Sequence, residues 1–166
     1  MTAERATNVT IADADLSRAE HQDALVTMLD GFMRDPMEGG QPLSEQARRE
    51  VVTGLRAHPA CYVFLAWRDG SPVGFSICFL GFSTFNARPL INIHDIFVDS
   101  AVRGMGIGRM LLERIEGKAH ELNCCRITLE VRQDNRVARG LYRKVGFDQA
   151  VDGAERVRVE LWRKAL

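Results

Sequence analysis

Three glycines at alternate positions separate an apolar run from an amphipathic one. The segment reads Ile96-Phe97-Val98, four residues of connection, then Arg103-Gly104-Met105-Gly106-Ile107-Gly108-Arg109-Met110-Leu111-Leu112. Glycine lets backbone N–H groups approach a ligand with no Cβ in the way. A helix starting inside such a turn leaves its first N–H groups without acceptors and carries partial positive charge there. Together these make an anion seat suited to a diphosphate. Arg103 adds a full charge and Arg109 a second. A P-loop would need Lys and then Ser or Thr after the last glycine, and here Gly108 is followed by Arg109-Met110. A dinucleotide fingerprint would need glycine at position 109, so it fails by one residue. Packing alone is a poor reason for three glycines, since each one inside a helix costs about 1 kcal/mol against alanine.

Two other places carry residues able to move protons. His94 and Asp95 interrupt the apolar run Leu90–Val98. Histidine has the intrinsic pKa of a base near neutrality. Strand alternation puts the two on opposite faces unless a bulge intervenes. Asn92, on the face of His94, is placed to hold a water. Tyr142 lies in a helical stripe with Val137, Ala138, Leu141 and Val145, where a tyrosine is usually core. Cys61, Cys78, Cys124 and Cys125 read as buried structural thiols, with no metal-type spacing and no disulfide framework. His21, His58 and His120 stand apart, so no metal site is expected.

These residues must be positioned by a mixed set of elements. Val9–Ala14 reads as a first strand. A helix starts near Ser17, with Leu25, Met28, Leu29 and Phe32 on one face. The Pro- and Gly-containing stretch 34–43 is a loop, and Ser44 caps a second helix reaching about Ala57. Cys61–Trp67, Val73–Phe82 and Leu90–Val98 read as strands, the first two joined by a turn at Asp69-Gly70. Gly106–Leu122 is the clearest helix. Arg126–Val131 is a strand and Asn135–Val145 a helix, capped by Asp134 or Asn135 and ended by Gly146. Final strands are expected from Phe147 onward and at Arg156–Trp162. The order implies an α/β sandwich with a mixed sheet.

The 166 residues suit one domain covering 1–166. Lys plus Arg and Asp plus Glu both count 22, so no overall basic field favours nucleic acid as a partner. No apolar run reaches the roughly eighteen residues of a membrane span. The polar, acid-bearing first residues lack the order of a secretory signal, and a cytoplasmic protein is expected.

The turn Arg103–Gly108 matches (R/Q)-x-x-G-x-(G/A) between a strand and a helix, and so resembles the signature of the GNAT acetyltransferase superfamily. The stretch from Asn135 to Phe147, with Ala138, Leu141, Tyr142 and Gly146 at matching places, is similar to that family's N-x-x-A-x-x-L-Y-x-x-x-G-F segment. The likeness covers about residues 71–149. It implies a mostly antiparallel sheet of six to seven strands with about four helices, splayed between the fourth and fifth strands. It implies acetyl-coenzyme A as co-substrate, its arm paired with backbone groups of Phe97 and Val98, and the Val98 N–H facing the thioester oxygen. By the same likeness Gly104, Met105, Gly106, Ile107 and Gly108 seat the diphosphate, with Arg103 and Arg109. Asn135 would touch the arm, and Ala138, Leu141 and Lys144 would lie near the cofactor's other end. Tyr142 would protonate the departing thiolate, leaving His94, Asp95 or an ordered water as the base.

Phe82-Ser83-Thr84-Phe85 and His94-Asp95-Ile96-Phe97-Val98 are similar to the diamine acetyltransferase branch, whose usual Glu is here His94 and whose Trp is Phe85. The expected activity is direct transfer of an acetyl group to a primary amine of a small molecule through a ternary complex. A non-catalytic acyl-coenzyme A sensor and an enzyme acting on protein amines are the alternatives. The family likeness also carries the expectation of a homodimer.

Overall fold

A computed structural model describes residues 8–148 and 164 of the chain. Strand β1 is Val9–Asp13 and helix α1 is Ala19–Arg34. The helix begins two residues later than the sequence implies. Ser17 is drawn into a turn, its N–H and hydroxyl both donating to Asp15 Oδ1 at 2.9 and 2.6 Å. Helix α2, Glu45–Ala57, starts where expected, with Ser44 Oγ accepting from the Ala47 N–H at 3.1 Å. None of its residues is fully buried.

Strands β2 (Cys61–Arg68), β3 (Ser71–Ser83) and β4 (Arg88–Val98) form an antiparallel meander with β1. The β2–β3 turn places Asp69 and Gly70 at φ 50° and 78°, the left-handed pair a two-residue hairpin favours. Helix α3, Ile107–Glu121, follows, then the short strand β5, Ile127–Leu129, and helix α4, Arg136–Lys144. Asn135 caps α4 through Oδ1, which accepts from the Ala138 N–H at 3.0 Å. Gly146, at φ 96°, ends it, and the Phe147 N–H returns to the Tyr142 carbonyl at 2.9 Å.

The sheet order is β1-β2-β3-β4-β5, with β5 parallel to β4. Five strands stand among the described residues, against six to seven implied by the family likeness. Phe147 and Asp148 carry no strand, and the strand read at Arg156–Trp162 lies outside the described residues.

The continuous apolar run of β2 follows from burial on both faces. Val63 and Leu65 pack with Phe75, Ile77 and Phe97 against Ala24, Leu25, Met28 and Leu29 of α1. Phe64 and Ala66 pack with Cys78, Ile91 and Ile93 against Ile107, Leu111, Leu112 and Ile115 of α3. Each fully buried large side chain contributes about 1.5–3 kcal/mol, so both helical layers are fixed to the sheet between them. Arg114 of α3 adds a bidentate bond to Asp13 of β1 at 2.8 and 2.7 Å.

Candidate active site

Strand β4 loses its partner halfway along. Ile91, Asn92 and Ile93 pair with Ile127, Thr128 and Leu129, and β5 stops there. On its other edge β4 stays paired with β3 as far as Gly74 opposite Val98. Among the described residues, positions 94–98 therefore present one open edge. The Asp99 N–H donates to the Val73 carbonyl at 2.9 Å, and the Phe97 carbonyl points at Gly74. Backbone groups alternate in direction along a strand, so Phe97 is spent on β3 while Ile96 and Val98 face the opening. The family likeness names Phe97 with Val98 for the coenzyme's arm; in this register Ile96 shares the direction of Val98.

Gly74 makes this geometry possible. A Cβ there would stand 2.8 Å from the Phe97 carbonyl oxygen. A glycine inside an apolar strand is a signal of such close approach.

The open edge runs directly into the glycine turn. Gly104 and Gly106 lie at φ 83° and 82°, and a Cβ at either would meet nothing within 4 Å. The N–H groups of Gly104 through Arg109 donate to no protein acceptor among the described residues; the first helical bond is from Met110 to the Gly106 carbonyl at 3.0 Å. Such a run of free backbone donors at a helix start is what an oxyanion pair needs. Gly108 serves a second purpose. A Cβ on it would lie 3.0 Å from Leu141 Cδ2 and 3.9 Å from Val98 Cγ2, so its absence lets α3, α4 and β4 meet. Ile107 is buried, and Met105 is half-buried with its sulfur 3.5 Å from Arg68 Nη1.

The two arginines are engaged elsewhere. Arg103 donates through Nε to the Val98 carbonyl at 3.0 Å and through Nη2 to Asp35 Oδ2 at 2.5 Å, with its guanidinium 5.6 Å from the centre of the Phe97 ring. Arg109 is exposed and pairs with Glu113 at 2.8 Å. The donors left free in this turn are thus backbone N–H groups.

A bulge decides the placement of His94 and Asp95. Ile77 pairs with Asp95 and Cys78 with Ile93, leaving His94 as the extra residue. Asp95 therefore shares the α1 face with Ile77, and His94 lies on that face too, edge-on to Phe79 at 5.5 Å. His94 is exposed and Asp95 half-buried. Burial pushes the Asp95 carboxyl above the ordinary carboxylate range, and the His94 charge offsets part of the rise. The amide nitrogen of Asn92 donates to Thr128 Oγ1 at 3.1 Å, which leaves its second N–H and its carbonyl oxygen for other partners.

Tyr142 is the buried residue of α4, packed 5.8 Å from the Phe147 ring. The stripe expected around it is incomplete, because Val137 is 82% exposed. Its hydroxyl makes no hydrogen bond among the described residues, and the residue is 9% exposed. Burial, with a smaller contribution from the Glu38 charge, pushes the phenol up to about 12. Ala138 and Leu141 pack beside it, Asn135 is half-buried at the start of the helix, and Lys144 is exposed.

Glu38 arrives from the α1–α2 loop. Partial burial raises its carboxyl, Arg132 pulls it down, and the charges of Asp95 and Asp35 raise it further. The sequence shows Asp35 and Glu38 only as acids in a Pro/Gly loop; no spacing rule ties that loop to β4. Among the thiols only Cys78 is fully buried, and burial pushes it up to about 12. Among the described residues no three His, Cys, Asp or Glu side chains cluster as metal ligands, and no helix is long and apolar enough to cross a membrane.

Residues 25–147 match the model of the acetyltransferase (GNAT) family. An uncharacterized N-acetyltransferase of Archaeoglobus fulgidus is 33% identical over 135 residues, covering 77% of this chain and 88% of its own. An uncharacterized N-acetyltransferase of Methanocaldococcus jannaschii is 33% identical over 87 residues, 52% of this chain; the match spans only 38% of that longer protein. The aminoglycoside N-acetyltransferase AAC(6')-Iy in complex with CoA shares the fold, with a TM-score of 0.74, 18% identity and coverage of 98% of this chain and 99% of that one. The matched span takes in most of α1, strands β2 to β5, the glycine turn and α4, and on that basis the chain belongs to the GNAT acetyltransferase family.

Proposed function

We propose that this protein transfers the acetyl group of acetyl-coenzyme A directly to a primary amine of a small, cationic molecule. One observation carries the reading: the edge of β4, unpaired among the described residues, leads straight into the donor run Gly104–Arg109. That run suits the diphosphate, and the Ile96 and Val98 edge suits the amide-bearing arm of the coenzyme. The likeness in fold to an aminoglycoside acetyltransferase holding CoA supports the same placement. Bound acetyl-coenzyme A supplies an activated acetyl thioester.

The chain's residues then divide the work. The Val98 N–H donates to the oxygen that gains charge as the amine adds to the thioester, the kind of contact worth several kcal/mol in a dry site. An alkylammonium, with a pKa near ~10.4, must first lose a proton. Asp95 accepts it, directly or through a water, because its raised basicity suits it better than an ordinary carboxylate. Tyr142 donates a hydrogen bond to the departing sulfur. Complete transfer from a phenol at about 12 to an ordinary thiolate at ~8.5 would be uphill by about 5 kcal/mol, so the hydroxyl stabilises the charge more than it neutralises it. Glu38, with Asp95, makes the acceptor side acidic and favours cations.

The test is a thiol-release screen with acetyl-coenzyme A over polyamines, amino acids, aminoglycosides and peptides. Release with a small amine and not with peptides is the expected result. Binding of acetyl-coenzyme A with no release across the panel would instead assign a sensor. No calorimetric binding near ~1 mM acetyl-coenzyme A would end the reading altogether. Light scattering of the purified protein tests the homodimer that the family likeness implies.

A further inference from the structure

Arg103 belongs to the glycine turn by sequence but reaches away from it, across the Phe97 ring, to Asp35 at the end of α1. Asp35 is the anchor of the loop that carries Glu38. Its Oδ1 accepts from the Met37 N–H at 2.9 Å, and its carbonyl accepts from Glu38 and Gly40 at 2.9 and 3.2 Å. The side chain of Asp35 is only 12% exposed, against 47% for Arg103. Losing the partner would leave a largely buried carboxylate unpaired, and such charges are poorly tolerated. The far end of the loop is held differently. Asp30 accepts the Leu43 N–H at 2.9 Å and pairs with Arg34 and Arg48 at 2.7 and 2.6 Å, all within the α1–α2 layer. Only the Asp35 end is tied to the turn.

We propose that Asp35 is a positioning residue whose pairing with Arg103 couples occupation of the glycine turn to ordering of loop 35–43, and thereby to the placement of Glu38 on the acceptor side. The inference rests on the coenzyme A reading of the turn. A diphosphate on the Gly104–Arg109 donors fixes the residues that carry Arg103. The fixed guanidinium holds Asp35, and Asp35 holds the loop's own hydrogen bonds. Because such coupling is reciprocal, an ordered loop also tightens the turn.

Hydrogen exchange of the whole chain, with and without coenzyme A, tests this without any acceptor. The amides of Glu38, Gly40 and Gln41 are the reporters, each bonded within the loop or to Met33. In the unaltered protein, saturating coenzyme A slows their exchange about 5-fold or more, the usual lower range of coupling between sites. In Asp35→Asn, coenzyme A still binds by calorimetry, within about 10-fold of the original Kd, and the slowing falls below about 2-fold. Arg48→Gln is the control. It loosens the other end of the loop, so basal exchange rises, but the response to coenzyme A persists. Coenzyme A that binds without slowing the loop overturns the coupling, as does an equal response in Asp35→Asn. If coenzyme A does not bind the unaltered protein at all, the functional reading falls first and takes this one with it.

Discussion

Replacing Gly106 with alanine separates the diphosphate role of the turn from its folding role. Gly106 sits at φ 82°, where an L-residue costs about 1–2 kcal/mol. No atom lies within 4 Å of the added Cβ, so no steric penalty adds to that figure. For a chain of this size the melting temperature should fall by about 2–8 °C. Binding should suffer more. The Cβ enters the space the ligand needs, or the residue escapes to negative φ and turns its flanking N–H groups away. Loss of one hydrogen bond to a charged group is worth about 1.5–3 kcal/mol. That raises the Kd for acetyl-coenzyme A about 10- to 100-fold. Gly70→Ala is the matched control. Its φ is 78°, its Cβ also meets nothing, and it lies in the β2–β3 turn, outside the β4–β5 opening. Calorimetric titration and thermal unfolding of both variants decide the matter. If Gly106→Ala loses the expected few degrees yet binds within 2-fold of the unaltered protein, the turn is not the diphosphate seat.

Three further outcomes follow from the site. Tyr142→Phe removes a hydroxyl with no hydrogen bond among the described residues, so stability and acetyl-coenzyme A affinity should hold while kcat falls about 100-fold; an unchanged kcat removes the assignment. Asp95→Asn should stabilise the protein at pH 7. The folded carboxyl is raised by burial, so between the ordinary value near ~4 and its own value the native state binds more protons than the unfolded one, and stability falls as pH rises through that window. The variant's advantage in urea midpoint should therefore vanish below about pH 4, and its turnover should drop at every pH; a variant less stable than the original at pH 7 contradicts the burial argument. His94→Ala, at an exposed position, should lower kcat by less than about 10-fold, and a loss matching that of Asp95→Asn would move the base to His94.

Much of the scaffold was legible because its signals are local. Leu111, Leu112, Ile115 and Ala119 recur at helical spacing, and α3 buries those residues. Asp69-Gly70 announces a hairpin and adopts the backbone that hairpins require. Asn135 and Ser44 cap the helices they precede. What misled was competition among short-range bonds. Ser17 reads as a helix start, but Asp15 takes its N–H and hydroxyl. Arg126–Val131 alternates well enough to be a six-residue strand. Its length is set by its partner, and pairing ends at Leu129. The roles of Arg103 and Asp35 were illegible for a different reason. Their contact joins residues 68 positions apart through a loop whose path no periodicity encodes.

The site itself turns on one residue that alternation cannot count. Strict period-two reasoning sends Asp95 to the α3 face, among Ile91 and Ile93, where a carboxylate would have no purpose and a large desolvation cost. The extra residue at His94 sends it to the α1 face, toward Glu38. A buried serine marks the place. Ser76 is wholly inaccessible in the run Val73-Gly74-Phe75-Ser76-Ile77-Cys78-Phe79, and its hydroxyl donates to the Asp95 carbonyl at 2.8 Å. A hydroxyl in such a strand must find an acceptor, and a bulge in the neighbouring strand leaves a carbonyl in need of a donor. The pair Ser76 and His94-Asp95 was therefore a readable sign of irregular register. Its consequence extends beyond Asp95. By resetting the alternation, the bulge also fixes the Val98 side chain beside Gly108 and turns the Val98 N–H to the open edge. One inserted residue thus places the Asp95 carboxyl on one face of β4 and the Val98 N–H on its edge, a few residues apart on the same strand.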